Sequence, residues 1–217
     1  MLLWIALVLA LLQPPRLLVI GDSLSRGLYA SSADGGYAYR LAEEMGADLG
    51  LMPSCTLAGA EQNWAAWDWP AGVIVVELGT NDAAGNLFCP QIDEREWAAR
   101  YGAFLDTLQS SGARVVVATV PWLGQPPEAT ARYNEYIASE AGKRGIVVVD
   151  LWTPMQACGV DCLSRPDQAS PFEPDFHGDG FHPNDDGHRL IAGALAAALR
   201  PRVTFLPVAW RCQEKDL

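Results

Sequence analysis

Basic residues are scarce in this chain. Fifteen lysines and arginines stand against 26 aspartates and glutamates, giving a formal charge of -11 over 217 residues. That balance excludes a nucleic-acid partner, because gripping phosphates takes a basic surface. The apolar stretch Met1 to Leu12 falls short of the ~20 residues that span a bilayer. Long polar linkers, low-complexity tracts and internal repeats are also missing, so nothing divides the chain into several domains. The hydrophobic share of 50% is enough for one full core. The expected organisation is an apolar N-terminal segment (1–15), one domain (16–200) and a C-terminal tail (201–217).

The five cysteines do not make a complete framework. Cys158-Gly-Val-Asp-Cys162 can close a small disulfide loop, and no second pair completes a zinc site around it. Cys55 and Cys89 each follow a segment expected to end at the same sheet edge, where they can pair. Cys212 is then left over, and reduced, buried cysteines are the alternative. Residues 1–12 resemble the apolar core of a signal peptide, with Val8-Leu9-Ala10 as a tolerable cleavage site, although no Lys or Arg precedes them. Together these features favour export, or membrane association through residues 1–12, over residence in the cytoplasm. No oligomeric state can be read.

Short apolar runs recur along the chain: Arg16 to Ile20, Gly72 to Glu77, Arg114 to Ala118 and Gly145 to Asp150, with a weaker one at Asp48 to Cys55. Such runs suit parallel strands buried on both faces. Between them lie helical stripes. Tyr37, Leu41 and Met45 are stopped by Gly46, and Trp97, Tyr101, Phe104, Leu105 and Leu108 end near Gly112. Tyr133, Tyr136, Ile137 and Glu140 follow Pro126-Pro127, and Leu190, Ile191, Leu195 and Leu199 follow a cap at Asn184 or Asp185. Alternating strands and helices predict a three-layer α/β/α sandwich on a mostly parallel five-stranded sheet. A short strand is expected at Val203 to Leu206.

Ligands bind such sheets at the carboxyl ends of the strands. The polar motifs fall there: Gly21-Asp22-Ser23-Leu24-Ser25 after the first strand, Gly59 after the second, and Gly79-Thr80-Asn81-Asp82 after the third. Asp179-Gly180-Phe181-His182 lies before the last helix, with acid and base three residues apart. A serine oxygen is a weak nucleophile until an imidazole takes its proton, and the imidazole needs a carboxylate to fix its tautomer. Taken singly, Ser23 reads as a cap or turn residue, Asn81-Asp82 as a plain turn and Asp179 with His182 as a polar pair on a loop. Their joint placement favours chemistry.

These blocks, in this order, resemble the SGNH hydrolase superfamily, also called the GDSL esterase/lipase family, over roughly Arg16 to Arg200. The single-domain layout is similar to its bacterial thioesterase/lysophospholipase and arylesterase types. The resemblance implies a flavodoxin-like fold and a serine esterase without a cofactor, acting on a small-molecule ester. Ser23 would be the nucleophile, His182 the base and Asp179 the acid. The oxyanion would be held by the backbone N–H groups of Ser23 and Gly59 and by the side-chain amide of Asn81. Asp22 would support the first loop.

Trp64, Trp67 and Trp69 follow Gly59, and Trp122 follows the fourth strand. Trp64 and Trp122 are candidates for the substrate pocket, as an acyl pocket or a sugar platform, and packing of loops onto the core is the alternative. His177, Asp179 and His182 form a His-x-Asp-x-x-His cluster that nothing else in the sequence completes, so no metal site is expected. His188 reads as a packing histidine. Two other functions fit the same residues: an acyltransferase using the same triad, and a carbohydrate- or lipid-binding relative without turnover.

Overall fold

The computed structural model describes residues 14–125, 127–168 and 178–200. Five strands form one sheet: β1 (Arg16–Gly21), β2 (Asp48–Pro53), β3 (Val73–Glu77), β4 (Arg114–Ala118) and β5 (Val147–Val149). All pairings are parallel, and the spatial order is β2-β1-β3-β4-β5. This is the flavodoxin-like order expected. The strand order reverses beside β1, so the connections leaving β1 and β3 diverge and open a crevice between them.

Alternation along the strands feeds two apolar layers. Leu18 and Ile20 of β1, with Ile74 and Val76 of β3, face one side. There they meet α2 (Leu57–Trp64), α4 (Glu94–Ser110) and α5 (Pro127–Lys143). Leu17 and Val19, with Val75 and Val116, face the other side. They meet α1 (Tyr37–Met45), α6 (Trp152–Cys158) and α7 (Asp185–Leu199). A five-residue helix, α3 (Thr80–Ala84), follows β3 at the crevice. Trp97 and Tyr101 of α4 are fully buried and stack with ring centroids 4.7 Å apart. Burying a large apolar side chain stabilises by about 1.5–3 kcal/mol, so this side of the sheet carries much of the core.

The predicted helix ends follow capping chemistry. Gly46 adopts φ 59 and closes α1, and Asn184 caps α7 by accepting the N–H groups of Asp186 and Gly187. Three helices escaped the sequence reading. In α2, Gly59 sits inside the first turn and not in a loop. The five-residue α3 and seven-residue α6 are too short to show a periodic stripe. The strand at 145–150 is shorter than its apolar run, and only Val147–Val149 pairs with β4. The expectations for residues 1–12, His177, Cys212 and Val203 to Leu206 lie outside the described residues. Among the described residues no helix is long and apolar enough to cross a membrane.

Candidate active site

Ser23 stands two residues beyond β1, in a tight turn made by backbone bonds from Arg26 to Asp22 and from Leu28 to Ser23. This turn packs on the start of α1 through two glycines. A Cβ on Gly27 would lie 2.7 Å from the Gly36 Cα, and Gly27 adopts φ 75. Only glycine fits both positions, and their contact seats the serine loop against the body of the fold.

Ser23 Oγ lies 2.8 Å from His182 Nε2, and His182 Nδ1 lies 2.6 Å from Asp179 Oδ2. The tertiary fold thus joins residues 159 positions apart into one hydrogen-bonded series. Asp179 Oδ1 accepts the backbone N–H groups of Phe181 and His182, each at 2.9 Å. Burial raises the Asp179 pKa. Its hydrogen bonds to His182, the His182 charge and the Phe181 N–H outweigh that and hold it well below the usual carboxylate range. The carboxylate therefore stays ionised at any pH where the histidine can act as a base.

Under the serine turn lies a buried acidic cluster. Asp22 Oδ1 accepts the Leu24 N–H at 2.9 Å, and its Oδ2 accepts an amide hydrogen of Asn81 at 3.1 Å. Burial pushes the Asp22 pKa up to about 6, against the pull of the Leu24 N–H and of His182. Behind it Glu77, fully buried at the end of β3, is raised well above the usual range by burial and by the charge of Asp22. Burial also raises Asp82 to about 6. Asn81 Oδ1 accepts from Asn86 Nδ2 at 2.9 Å, so the amide plane is set from both ends.

Not every sequence candidate is where the motifs placed it. Gly59 is corrected: it lies within α2, and its N–H points to the capping Thr56 Oγ1 at 3.4 Å, so that donor is committed to the helix end. The connection that reaches the crevice from β2 is residues 54–56, tied by the Cys55–Cys89 disulfide to the segment between α3 and α4. Trp64 is also corrected. As the last residue of α2 it packs edge-on against Phe104 and shares a separate hollow with Trp67, Trp69, Ile74 and Ser111. Trp69 in turn lies over Gly50 and Arg16, at the amino ends of the strands, because α2 runs back along the sheet away from the crevice. Trp122 does follow β4 at the carboxyl edge, but it is half-buried against the α1/α7 layer.

Three features were missed. A cleft of about 370 Å³ opens between α3 and α5, walled by Thr80, Ala83, Ala84, Ala129 and Phe181 together with the polar Gln125, Glu128, Thr130 and Arg132. Phe181 precedes His182 and Thr80 precedes Asn81, so the motifs carried this wall unrecognised. Tyr29 holds φ 65, and its ring lies 5.4 Å from that of His182. Ser164, in the segment after the second disulfide, Cys158–Cys162, bonds to Asp179 at 2.9 Å. Among the described residues no cluster of three metal-ligating side chains occurs.

His188 is a packing histidine. It is fully buried in α7, accepts the Tyr37 N–H at 3.4 Å and faces the Leu28 carbonyl at 3.4 Å. Burial lowers its pKa to about 4, although the Leu28 carbonyl and Asp185 favour the charged form. The unfolded chain, with an ordinary histidine pKa near 6.5, then binds more protons between about pH 4 and 6.5. The contribution of His188 to stability is complete above that window and declines by about 3 kcal/mol as pH falls to 4. Asp22 and Asp82 act with the opposite sign, so the check is a difference. The stability of the parent minus that of His188→Gln, from urea titrations, should be flat above pH 7 and fall by about that amount towards pH 4. A difference that stays flat to pH 4 would refute the assignment.

A doubly wound sheet with a serine and a histidine in contact at its switch point defines an α/β hydrolytic enzyme. Residues 19–190 match the GDSL-like Lipase/Acylhydrolase family, and the chain belongs to it, as a carboxylic ester hydrolase of the SGNH type. The acetyl xylan esterase AlAXEase has a TM-score of 0.65 at 18% identity, over 85% of this chain and 100% of its own. A carbohydrate esterase family 2 enzyme from Corynascus thermopiles (Myceliophthora fergusii), with its carbohydrate-binding domain, has a TM-score of 0.62 at 19% identity, over 86% of this chain and 66% of its own. A catalytic mutant of Axe2, an acetylxylan esterase from Geobacillus stearothermophilus, has a TM-score of 0.63 at 15% identity, over 85% and 94%. Among curated proteins none matches the chain.

Proposed function

We propose that this esterase works through an acyl-serine intermediate on Ser23, with His182 as base and then acid and Asp179 as the group that orients it. The observation that carries this is the pair of contacts at 2.8 Å and 2.6 Å that joins the three side chains. Ser23 Oγ attacks the ester carbonyl carbon while its proton passes to His182 Nε2. That proton then goes to the leaving alcohol oxygen. Water repeats the sequence, with His182 taking its proton, and releases the acid. The backbone N–H of Ser23 and the free amide hydrogen of Asn81 stabilise the oxyanion. A third donor would come from the backbone of residues 55–56 and not from Gly59, since the Ser54 N–H donates to the Gly21 carbonyl at 2.6 Å.

The cleft beside Phe181 and α3 is the proposed site of the acyl chain. Its volume of about 370 Å³ and the apolar part of its wall, Ala83, Ala84, Ala129 and Phe181, suit an alkyl group longer than acetyl. The related folds that act on acetyl xylan make an acetylated carbohydrate the competing substrate. Hydrolysis of p-nitrophenyl esters from acetyl to palmitoyl, by the parent and by Ser23→Ala with and without chelator, tests both parts. Each added CH₂ buried in the cleft is worth about 0.8 kcal/mol, so kcat/KM should rise about fourfold per carbon until the cleft is full. A parent-like rate in Ser23→Ala would sink the acyl-serine reading. A Ser23-dependent rate that is highest on acetyl would reassign the cleft to the alcohol part.

The Cys55–Cys89 and Cys158–Cys162 disulfides support export to an oxidising compartment.

A further inference from the structure

The acid of the proposed triad sits on a loop, and a carboxylate on a loop can turn. Asp179 Oδ2 must stay on His182 Nδ1, so Oδ1 has to be held. Two of the donors to Oδ1, the N–H groups of Phe181 and His182, belong to the same loop and move with it. The third is the hydroxyl of Ser164, at 2.9 Å, and it comes from another part of the chain.

Ser164 is 3% exposed and touches this loop three times. Its hydroxyl reaches Asp179 Oδ1, its Oγ accepts the Asp179 N–H at 3.1 Å, and its own N–H donates to the His182 carbonyl at 2.7 Å. The direction of the hydroxyl proton follows. A backbone N–H can only donate and an ionised carboxylate can only accept, so Oγ receives the first and gives its proton to the second. The neighbouring pairings run the same way. Leu163 and Pro183 form an antiparallel bridge, and the Cys162 carbonyl accepts the Asn184 N–H at 3.1 Å. Cys162 is in turn tied to Cys158 at the end of α6.

We propose that Ser164 is a positioning residue for the reaction: its hydroxyl anchors Asp179 Oδ1 to the body of the fold, so that Oδ2 keeps His182 with Nδ1 protonated and Nε2 free for the Ser23 proton. This rests on the triad reading above. A hydrogen bond to a charged group that is lost from such a site lowers kcat by about 10- to 100-fold. KM should change little, because Ser164 does not touch the substrate.

The test uses Ser164→Ala, Ser164→Thr and Ser164→Val on one p-nitrophenyl ester, beside the parent and Ser23→Ala, with thermal melts of each. Thr and Val have the same shape and differ in the hydroxyl. The expected result is a fall in kcat for Ala and Val, KM within about twofold of the parent, and recovery in Thr. The low-field proton resonance of the His182–Asp179 hydrogen bond should weaken or shift upfield in Ala and Val only. An unchanged kcat and an unchanged resonance in Ser164→Ala would overturn the proposal, as would equal losses in Thr and Val. If Ser23→Ala keeps the parent rate, it is the triad reading that fails. If Ser23→Ala is inactive and Ser164→Ala is not impaired, only the positioning role fails.

Discussion

Ser23→Ala is expected to lower kcat on a p-nitrophenyl ester by about 10⁶-fold and Asp179→Asn by about 10⁴-fold, with the fold intact in both. The first loss follows from removing the atom proposed to form the acyl-enzyme. Residual turnover would come from oxyanion stabilisation and substrate binding alone. The second loss follows from the donors around Asp179. The Oδ1 position receives two backbone N–H groups and one hydroxyl. An asparagine placed there must put its carbonyl oxygen on that side. Its NH₂ then faces His182 Nδ1 and donates to it, so the ring proton is forced onto Nε2. That nitrogen faces Ser23 Oγ at 2.8 Å and can no longer accept its proton. Steady-state kcat and KM with thermal melts check both variants. An Asp179→Asn enzyme within tenfold of the parent would show that the carboxylate does not set the tautomer.

Asn81→Ala should cost about 10²- to 10³-fold in kcat, with a smaller change in KM. One amide hydrogen of Asn81 is fixed on Asp22 and its oxygen on Asn86, so the remaining N–H is preorganised and costs no reorientation when negative charge develops. The ground-state carbonyl draws less on such a donor than the oxyanion does, which is why the loss should fall on kcat. Asn81→Asp should be worse than Asn81→Ala, since it sets a second carboxylate against the buried Asp22 and another negative charge near the oxyanion. An Asn81→Asp variant faster than Asn81→Ala would refute a donor role for Asn81 towards both Asp22 and the oxyanion. Loss in Asn81→Ala confined to KM would place the amide on the bound substrate.

The sheet was legible because a parallel strand buried on both faces reads as an unbroken apolar run, as at Arg16 to Ile20 and Arg114 to Ala118. The long helices were legible from aromatic and leucine stripes and from Gly46 and Asn184 at their ends. The short helices were not. A helix such as α3 has too few residues for a period, and α2 hid behind Gly59, which looks like a loop residue without the Thr56 cap in view. That missed helix caused both errors at the site. It moved the Gly59 N–H into a helix turn and carried Trp64 back towards the amino ends of the strands. Ser164 gave no signal, because a lone serine after a cysteine has no local reason to meet an aspartate 15 residues on.

What the residues determined alone was the local chemistry: which groups can attack, take a proton or carry charge, and which segments must be buried. Ser23, Asn81, Asp179 and His182 could be named as candidates because their motifs follow readable strands or precede the last helix. Tertiary structure decided the distances and the competition for donors. It brought Ser23 to His182 across 159 residues, tied Cys55 to Cys89, and turned Asp179 towards His182 by occupying its other oxygen. The physical reason is that hydrogen bonds and close packing depend on separations of a few ångströms between distant parts of the chain, which local pattern cannot encode.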